Sequence, residues 1–480
     1  MTDNTRFHTF EVLPTDHESI REDKTIFKLS GLDQFIPGSH TKVYLVFPLS
    51  LKSLDRDQFI SYLCTGLQNV VTHIPLVGGQ LHNSGDGISI LRHNHRPVQL
   101  SVHYLDTDPD FPSYETLSAS RFTPSLFTDI GSRLFPPNSD LGRFRRDEGC
   151  PVSLYQANFI RGGLLLTLAL HHMCGDAKSI DHVFSLWAAS TRAAKEGQPM
   201  PTWSPSLDRS YFTALFMPSV TETEELKKLI RGFAFRPLTN EGPADSVAAS
   251  TPPPMTLEMY HFSSDTCMKL KDLCKPSDRE KFVSSYDCIV GLTWRCMTRA
   301  RVPYLKLAPE NTKTRCTHAV DSRGRFRDTV PKEYFGNGFI MGVTEDIPIA
   351  QLIGKDGLPK AAQALRQSIL DVKENSIPAV VSVSRGIQGR EQMSWIFQPQ
   401  NIMGTSWTGM QPFIKYDFGY GLPASIRMMA SSFEGTVGVL PANRVGTKSD
   451  GFDVYVSLEK GCQERLIADP EYQAYCTLLK

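Results

Sequence analysis

The stretch Arg161–His172 (RGGLLLTLALHH) most restricts what this chain can become. It is nearly continuous in apolar residues and has the length of a strand, not of a helix. A strand with one wet face alternates apolar and polar residues, so an unbroken run requires cover on both faces. Its surroundings supply that cover. Thr41–Pro48 (TKVYLVFP) is β-branched and aromatic, which predicts a second strand. Leu54–Val71 carries Phe59, Leu63, Leu67 and Val71 at spacings of four, which predicts a helix ending near Pro75 and Gly78–Gly79. Ile180, Val183, Phe184 and Trp187 recur at helical spacing after the run, with Gly197 as the stop. The second half alternates in the same way, so the fold class expected is mixed α/β.

A chain of 480 residues fits two large domains or three ordinary ones. From Gly197 to Pro254 prolines crowd together, ending in the triplet Pro252-Pro253-Pro254. Proline fixes φ and removes a donor, so this stretch reads as an irregular crossover, with a short helix at Glu222–Phe233 inside it. Loops this long are uncommon within one domain. The division is therefore 1–197, crossover 198–254, and 255–480.

Lys+Arg and Asp+Glu both number 51. Nucleic-acid binding and a polybasic membrane tether both need a basic excess, so neither is expected. No stretch approaches the ~20 apolar residues of a spanning helix. The ten cysteines contain no Cys-x-x-Cys pair, and the opening MTDNTRFHTFEVLPTD lacks the layout of a secretory signal. These features predict a cytoplasmic protein with reduced thiols.

The candidate chemistry lies at the end of the apolar run, in His171-His172-Met173-Cys174-Gly175-Asp176. Alternation places His172 on the face of Leu164, Leu166, Leu168 and Leu170, and His171 on the face of Leu165, Thr167 and Ala169. One histidine is then reactive and the other structural, and a strand end followed by a glycine turn is where α/β folds carry reactive groups. Asp176 would cap the following helix or orient a partner. The plain alternative is a hydrogen-bonded core histidine. A metal site would need His172 and Asp176 four apart on a helix, but Gly175 and the strand-like run argue against a helix and no third ligand is evident, so no metal is expected; Cys174 as a nucleophile lacks a base and reads as turn filler. The second feature is Asn401–Pro423 (NIMGTSWTGMQPFIKYDFGYGLP), whose Asp417-Phe418-Gly419-Tyr420-Gly421 packs glycines around aromatics. No Gly-x-Ser-x-Gly elbow, Walker A loop or strand-linked Gly-x-Gly-x-x-Gly is present.

HHMCGDA and DFGYG, in this order and about 240 residues apart, resemble the two signatures of the BAHD acyl-CoA-dependent acyltransferases, HxxxD followed by glycine and DFGWG. Ser284–Arg301, Val320–Gly338, Thr405-Ser406-Trp407 and Ile74–Leu81 resemble further segments of that family. The Pro-rich crossover is more similar to fungal members, such as the trichothecene 3-O-acetyltransferases, than to plant ones. The resemblance implies two chloramphenicol-acetyltransferase-like domains with a solvent channel between them. It implies direct transfer of an acyl group, acetyl first, from acyl-CoA to a hydroxyl of a small secondary metabolite. Acyl-CoA would be a co-substrate, with no permanently bound cofactor, and the protein a monomer. An amine acceptor, or a silent ligand-binding member, are the alternatives.

Carried over by position, His172 matches the catalytic base and Asp176 a structural aspartate paired with Arg323, or failing that Arg325. Thr405 and Trp407 match the oxyanion donors. Asp417, Gly419 and Gly421 would be structural. Two departures stand out: Tyr420 replaces a tryptophan, and Ala177 replaces a glycine, which would strain Ala177 if the backbone there needed positive φ.

Overall fold

The computed structural model describes residues 7–19, 21–34, 36, 38–50, 54–83, 87–127, 130–136, 139, 149–212, 255–278, 281–325, 330–373, 398–429, 434–446 and 448–480. The first sheet begins with β1 (Phe7–Val12), β2 (His40–Pro48), β3 (Val98–Tyr104), β4 (Ser153–Ile160) and β5 (Gly163–His171). Further along come β6 (Met255–Phe262), β7 (Cys316–Asp321), β8 (Phe339–Val343), β9 (Ile402–Ser406), β10 (Ser425–Met429), β11 (Thr436–Pro441), β12 (Phe452–Glu459) and β13 (Thr477–Leu478). All of these but β10 form the second sheet, in the order β8-β7-β9-β11-β12-β6-β13. The first sheet runs β1-β3-β4-β5-β2-β10.

β5 is the apolar run. It lies between β2 and β4, antiparallel to both, and all nine of its residues are buried. Leu164, Leu166, Leu168 and Leu170 pack on α1 (Arg56–His73) and α2 (Ala177–Glu196). Leu165 and Ala169 face a second apolar layer with Phe111, Phe127 and Leu134. A Cβ on Gly66 of α1 would fall 2.2 Å from Thr191 Oγ1 of α2, so glycine sets how closely the helices cross. Trp187 Nε1 donates to Leu63 O across that crossing at 2.9 Å. Asp176 accepts from the backbone of Lys178 and Ser179 at the head of α2, and Gly197 closes its tail with φ of 63°. The second lobe is organised around α3 (Ser285–Leu305), whose capping box joins Ser284 and Asp287.

Ala177 is the first residue of α2 and has negative φ, so the strain weighed for it does not arise. Within the crossover, Ser206 bridges to Tyr334 and Arg209–Phe212 forms one 3₁₀ turn. The remainder, 213–254, with the helix expected at Glu222–Phe233, lies outside the described residues. Sheet membership does not follow a simple division at the crossover: β10, in the segment 255–480, pairs with β2 of the first sheet. It covers what would otherwise be an open edge of unpaired backbone groups. No helix among the described residues is long and apolar enough to cross a membrane.

β10 is tied to the second sheet by a fully buried ion pair, Arg427 Nη2 to Asp453 Oδ2 of β12 at 2.6 Å. His261 Nδ1 of β6 meets the other oxygen of Asp453 at 2.8 Å. Arg427 also donates to the carbonyls of Arg121 and Phe122, two non-glycine residues held at φ of 55° and 59°. Arg427→Ala is therefore expected to cost ~3–5 kcal/mol, because it leaves the Asp453 carboxylate buried without its cation. The double variant Arg427→Met/Asp453→Leu should recover most of that loss. Urea midpoints of the three proteins check the prediction; equal stability of wild type and Arg427→Ala would refute it.

Candidate active site

The two histidines at the end of β5 part company, as strand alternation requires. His171 is 1 % exposed, stacks edge-on against His40 at 5.1 Å, and has no ring-nitrogen partner among the described residues. Burial, with His40 and His172 nearby, holds it neutral far below the usual histidine range. His172 is the partly exposed one. Its backbone N–H donates to Ser39 O at 2.9 Å and its carbonyl accepts from Asn337 Nδ2 at 2.9 Å. Among the described residues, Nδ1 is buried without a hydrogen-bond partner, whereas Nε2 is neither buried nor engaged. Desolvation lowers the pKa of His172, and the nearby carbonyls and the Asp176 charge oppose it only in part. The ring is thus neutral at neutral pH and keeps a free lone pair.

Asp176 does not touch the ring. Arg323 grips it bidentately, Nη1 to Oδ2 at 2.9 Å and Nη2 to Oδ1 at 3.1 Å. Gly338 N adds a bond at 3.0 Å, besides the two at the head of α2. Burial alone would raise this carboxyl, but Arg323 and the backbone donors outweigh it and the pKa falls. Arg323 is fixed in turn by the carbonyls of Tyr334 and Gly336 at 2.9 and 2.6 Å. A Cβ on Gly338 would lie 2.6 Å from its guanidinium carbon, so only glycine admits that side chain. Arg325, the second choice, turns to the carbonyl of Ile369 instead. Gly175 has no positive φ; its role is space, since a Cβ there would meet Ser179 Cβ at 2.6 Å. Cys174 is fully buried and its thiol is pushed up by desolvation, which leaves no thiolate to act as nucleophile.

Sequence reasoning missed a second buried ion pair beside the first. Arg209 Nη1 meets Asp33 Oδ2 at 2.6 Å, and Arg209 Nη2 donates to Cys174 O at 2.7 Å. The other oxygen of Asp33 accepts from Asn337 Nδ2 at 2.8 Å. The Tyr334–Gly338 segment is thereby held between two carboxylate–guanidinium pairs. Ser30 and Asp33 bond reciprocally, the S-x-x-D pattern of a capping box, and that local signal was readable.

Thr405 lies near the end of β9, opposite Gly438 of β11, and Trp407 follows it, its N–H bonded to Val439 O. Trp407 joins the core cluster that includes Leu168, Leu170 and Met173. No described residue engages the Thr405 hydroxyl or the Trp407 indole N–H, and neither is bonded to His172. Asp417 accepts from the N–H groups of Gly419 and Gly421 at 2.8 and 3.1 Å, and these glycines have φ of 86° and 97°. Phe418 packs edge-on against Phe47 and Trp187, and Tyr420 lies tilted against Phe59 at 4.4 Å. Lys195 sits 3.8 Å above the Tyr420 ring and donates to Gly419 O. Nineteen residues of helix at 1.5 Å each put Lys195 about 28 Å from Asp176, so this turn packs the far end of α2 rather than the base. A cleft of about 760 Å³ beside the helix Gly357–Leu370, lined in part by Lys281, Phe282, Arg366 and Ser368, includes none of these site residues.

Removing Arg323 strands Asp176 among backbone donors in the interior. Arg323→Ala should cost ~3–5 kcal/mol at neutral pH. Because the pKa of Asp176 is depressed in the folded state, the deficit should shrink as pH falls through that value and the carboxyl is protonated in both proteins. Denaturant midpoints across pH read this out; a deficit that widens in acid would contradict it.

A model of the transferase family matches residues 145–471, and one for the trichothecene 3-O-acetyltransferase-like N-terminal domain matches residues 40–190. The acetyltransferase FGR3 of Gibberella zeae is 24 % identical over 98 % of this chain and 93 % of its own length. The trichothecene 3-O-acetyltransferase TRI101 of Fusarium sporotrichioides is 27 % identical over 91 % of this chain and 93 % of its own. The crystal structure of F. sporotrichioides TRI101 with coenzyme A and T-2 shares the fold, with a TM-score of 0.74 at 24 % identity over 94 % of this chain and 99 % of that one. With a family model covering more than half its length and that fold in common, the chain belongs to the BAHD transferase family and is an acyl-CoA-dependent acyltransferase.

Proposed function

We propose that the enzyme moves an acyl group, acetyl in the first instance, from acyl-CoA to a hydroxyl of a small secondary metabolite, with His172 as general base. One observation carries this reading. His172 Nε2 is open and the ring is neutral, while the neighbouring carboxylate of Asp176 is saturated by Arg323 and backbone donors. An alcohol is a poor nucleophile at neutral pH. In the proposed step its proton passes to Nε2 as its oxygen bonds to the thioester carbon. The carbonyl electron pair moves onto oxygen, then returns as the C–S bond breaks, and the CoA thiolate takes the proton back from His172. No acyl-enzyme forms. The transient oxyanion needs a fixed donor, and the unengaged Thr405 hydroxyl and Trp407 indole N–H are the groups we assign to it.

Two further points support the reading. Ala177 and Tyr420, the departures that suggested a silent member, are both accommodated without strain in the turn or loss of aromatic packing. The acceptor class follows the relatives, one a trichothecene 3-O-acetyltransferase.

His172→Ala should lower CoA release from acetyl-CoA, followed with a thiol reagent across an alcohol panel, by ~10²–10⁴. Turnover within about tenfold of wild type would end the assignment, by the same magnitude. A base with a depressed pKa is already deprotonated below the ordinary histidine value of 6.5. The wild-type kcat/KM should therefore rise with pH and level off before that point. Mass spectrometry of the product separates an ester from an amide.

A further inference from the structure

We propose that the Tyr455 hydroxyl is a further donor of the active site: it stands beside Thr405 and binds the acyl carbonyl oxygen as that oxygen takes on charge. This rests on the reading of Thr405 and Trp407 as the oxyanion donors.

The register of the second sheet puts three residues in one row. Thr405 of β9 lies opposite Gly438 of β11, and Gly438 lies opposite Tyr455 of β12. Residues directly opposite one another share a face of the sheet. Here it is the face turned to the first lobe. Tyr455, Leu440 and Trp407 join the core cluster of Leu168 and Leu170, the residues that share the His172 face of β5. Val437, Val439, Val454 and Val456, one step along their strands, pack instead with α3.

Within the row the Tyr455 ring lies flat along the sheet. A Cβ on Gly438 would fall 1.9 Å from both Cε1 and Cζ of Tyr455 and 2.3 Å from its hydroxyl oxygen, so only glycine gives the ring room. The far end of the ring is what covers Gly438, and the phenol therefore reaches from β12 across to β11. Thr405 is the next residue in the row, about one strand spacing of ~4.8 Å further on.

The hydroxyl differs from those of the other buried tyrosines. Tyr260, Tyr416 and Tyr472 are hydrogen-bonded, to Gln463, Asp181 and Thr293. The hydroxyls of Tyr44, Tyr155 and Tyr334 are sealed in the interior. That of Tyr455 has no hydrogen-bond partner among the described residues and is not one of the sealed atoms. Burial alone pushes its pKa well above the ordinary phenol value, with no neighbouring charge contributing. It is a neutral O–H at any working pH, in apolar surroundings where a fixed donor acts most strongly on developing charge. With Thr405 and Trp407 it gives three donors from one wall, one for each lone pair of an oxyanion. Its hydrogen stays on the phenol throughout, so the proton balance at His172 is unchanged.

Tyr455→Phe keeps the ring over Gly438 and removes one oxygen. With acetyl-CoA and the best alcohol of the panel, kcat should fall by about 10²-fold, while KM for acetyl-CoA stays within about twofold. The circular dichroism spectrum and thermal midpoint should match wild type, since the oxygen has no partner to lose. A kcat within about threefold of wild type overturns the proposal, and so does a loss confined to KM, which would make the hydroxyl a ground-state contact. A lowered thermal midpoint overturns it as well, because the oxygen would then be engaged in the free protein. Thr405→Val separates this from the underlying reading. If that variant turns over like wild type, the oxyanion assignment itself fails; if it alone is impaired, only the role of Tyr455 fails.

Discussion

The pair between Asp176 and Arg323 is what the rest of the site depends on. It joins the turn after β5 in the first lobe to the connection between β7 and β8 in the second, and both partners are buried. Such a pair is favourable only when every remaining lone pair and N–H finds a partner. Here they do: Asp176 collects two α2 backbone donors and Gly338 N, and Arg323 collects the carbonyls of Tyr334 and Gly336. That saturation has a chemical consequence. A carboxylate so occupied cannot also orient an imidazole, so His172 must take its orientation from something else. The segment the ion pair holds in place, where Asn337 follows Gly336, reaches the base through its backbone: Asn337 Nδ2 donates to the carbonyl of His172.

The parts of this arrangement readable in the sequence were those set by local periodicity. Strand alternation separated His172 from His171, because a buried strand with cover on both faces leaves no freedom in which side chain points where. The helical spacings at Leu54–Val71 and after Ile180 located α1 and α2, and Gly197 ended the latter through its positive φ. Of the contacts between residues far apart, the Asp176–Arg323 pair, 147 positions apart, was named only through the family resemblance, and the others stayed hidden. Asp33 and Arg209 are 176 positions apart, and Asn337 is 304 from Asp33. Nothing in the neighbourhood of Arg209, in a proline-rich stretch, distinguishes a buried guanidinium from a solvated one. The strand exchange of β10 was hidden for the same reason. Ser425–Met429 has the pattern of a strand, but a pattern does not name the edge it will pair with.

The two signature segments have unequal duties, and α2 explains why both are present. Asp176 caps the head of this twenty-residue helix, where exposed N–H groups favour an anion. Gly419 O and the Tyr420 ring meet Lys195 in its last turn, where a cation is favoured, and Asp417 lies 3.9 Å from Arg192. One segment thus fixes where the helix begins, directly after the base, and the other fixes where it ends. The positive φ of Gly419 and Gly421 serves that second contact, letting two N–H groups turn inward onto Asp417. A tryptophan is not required at 420 for this: the contact needs an aromatic face for Lys195 and Phe59, and tyrosine presents one. Because α2 packs along its length on the leucine face of β5, a shift at its tail would be carried by a rigid body to its head, and from there to the turn that bears His172.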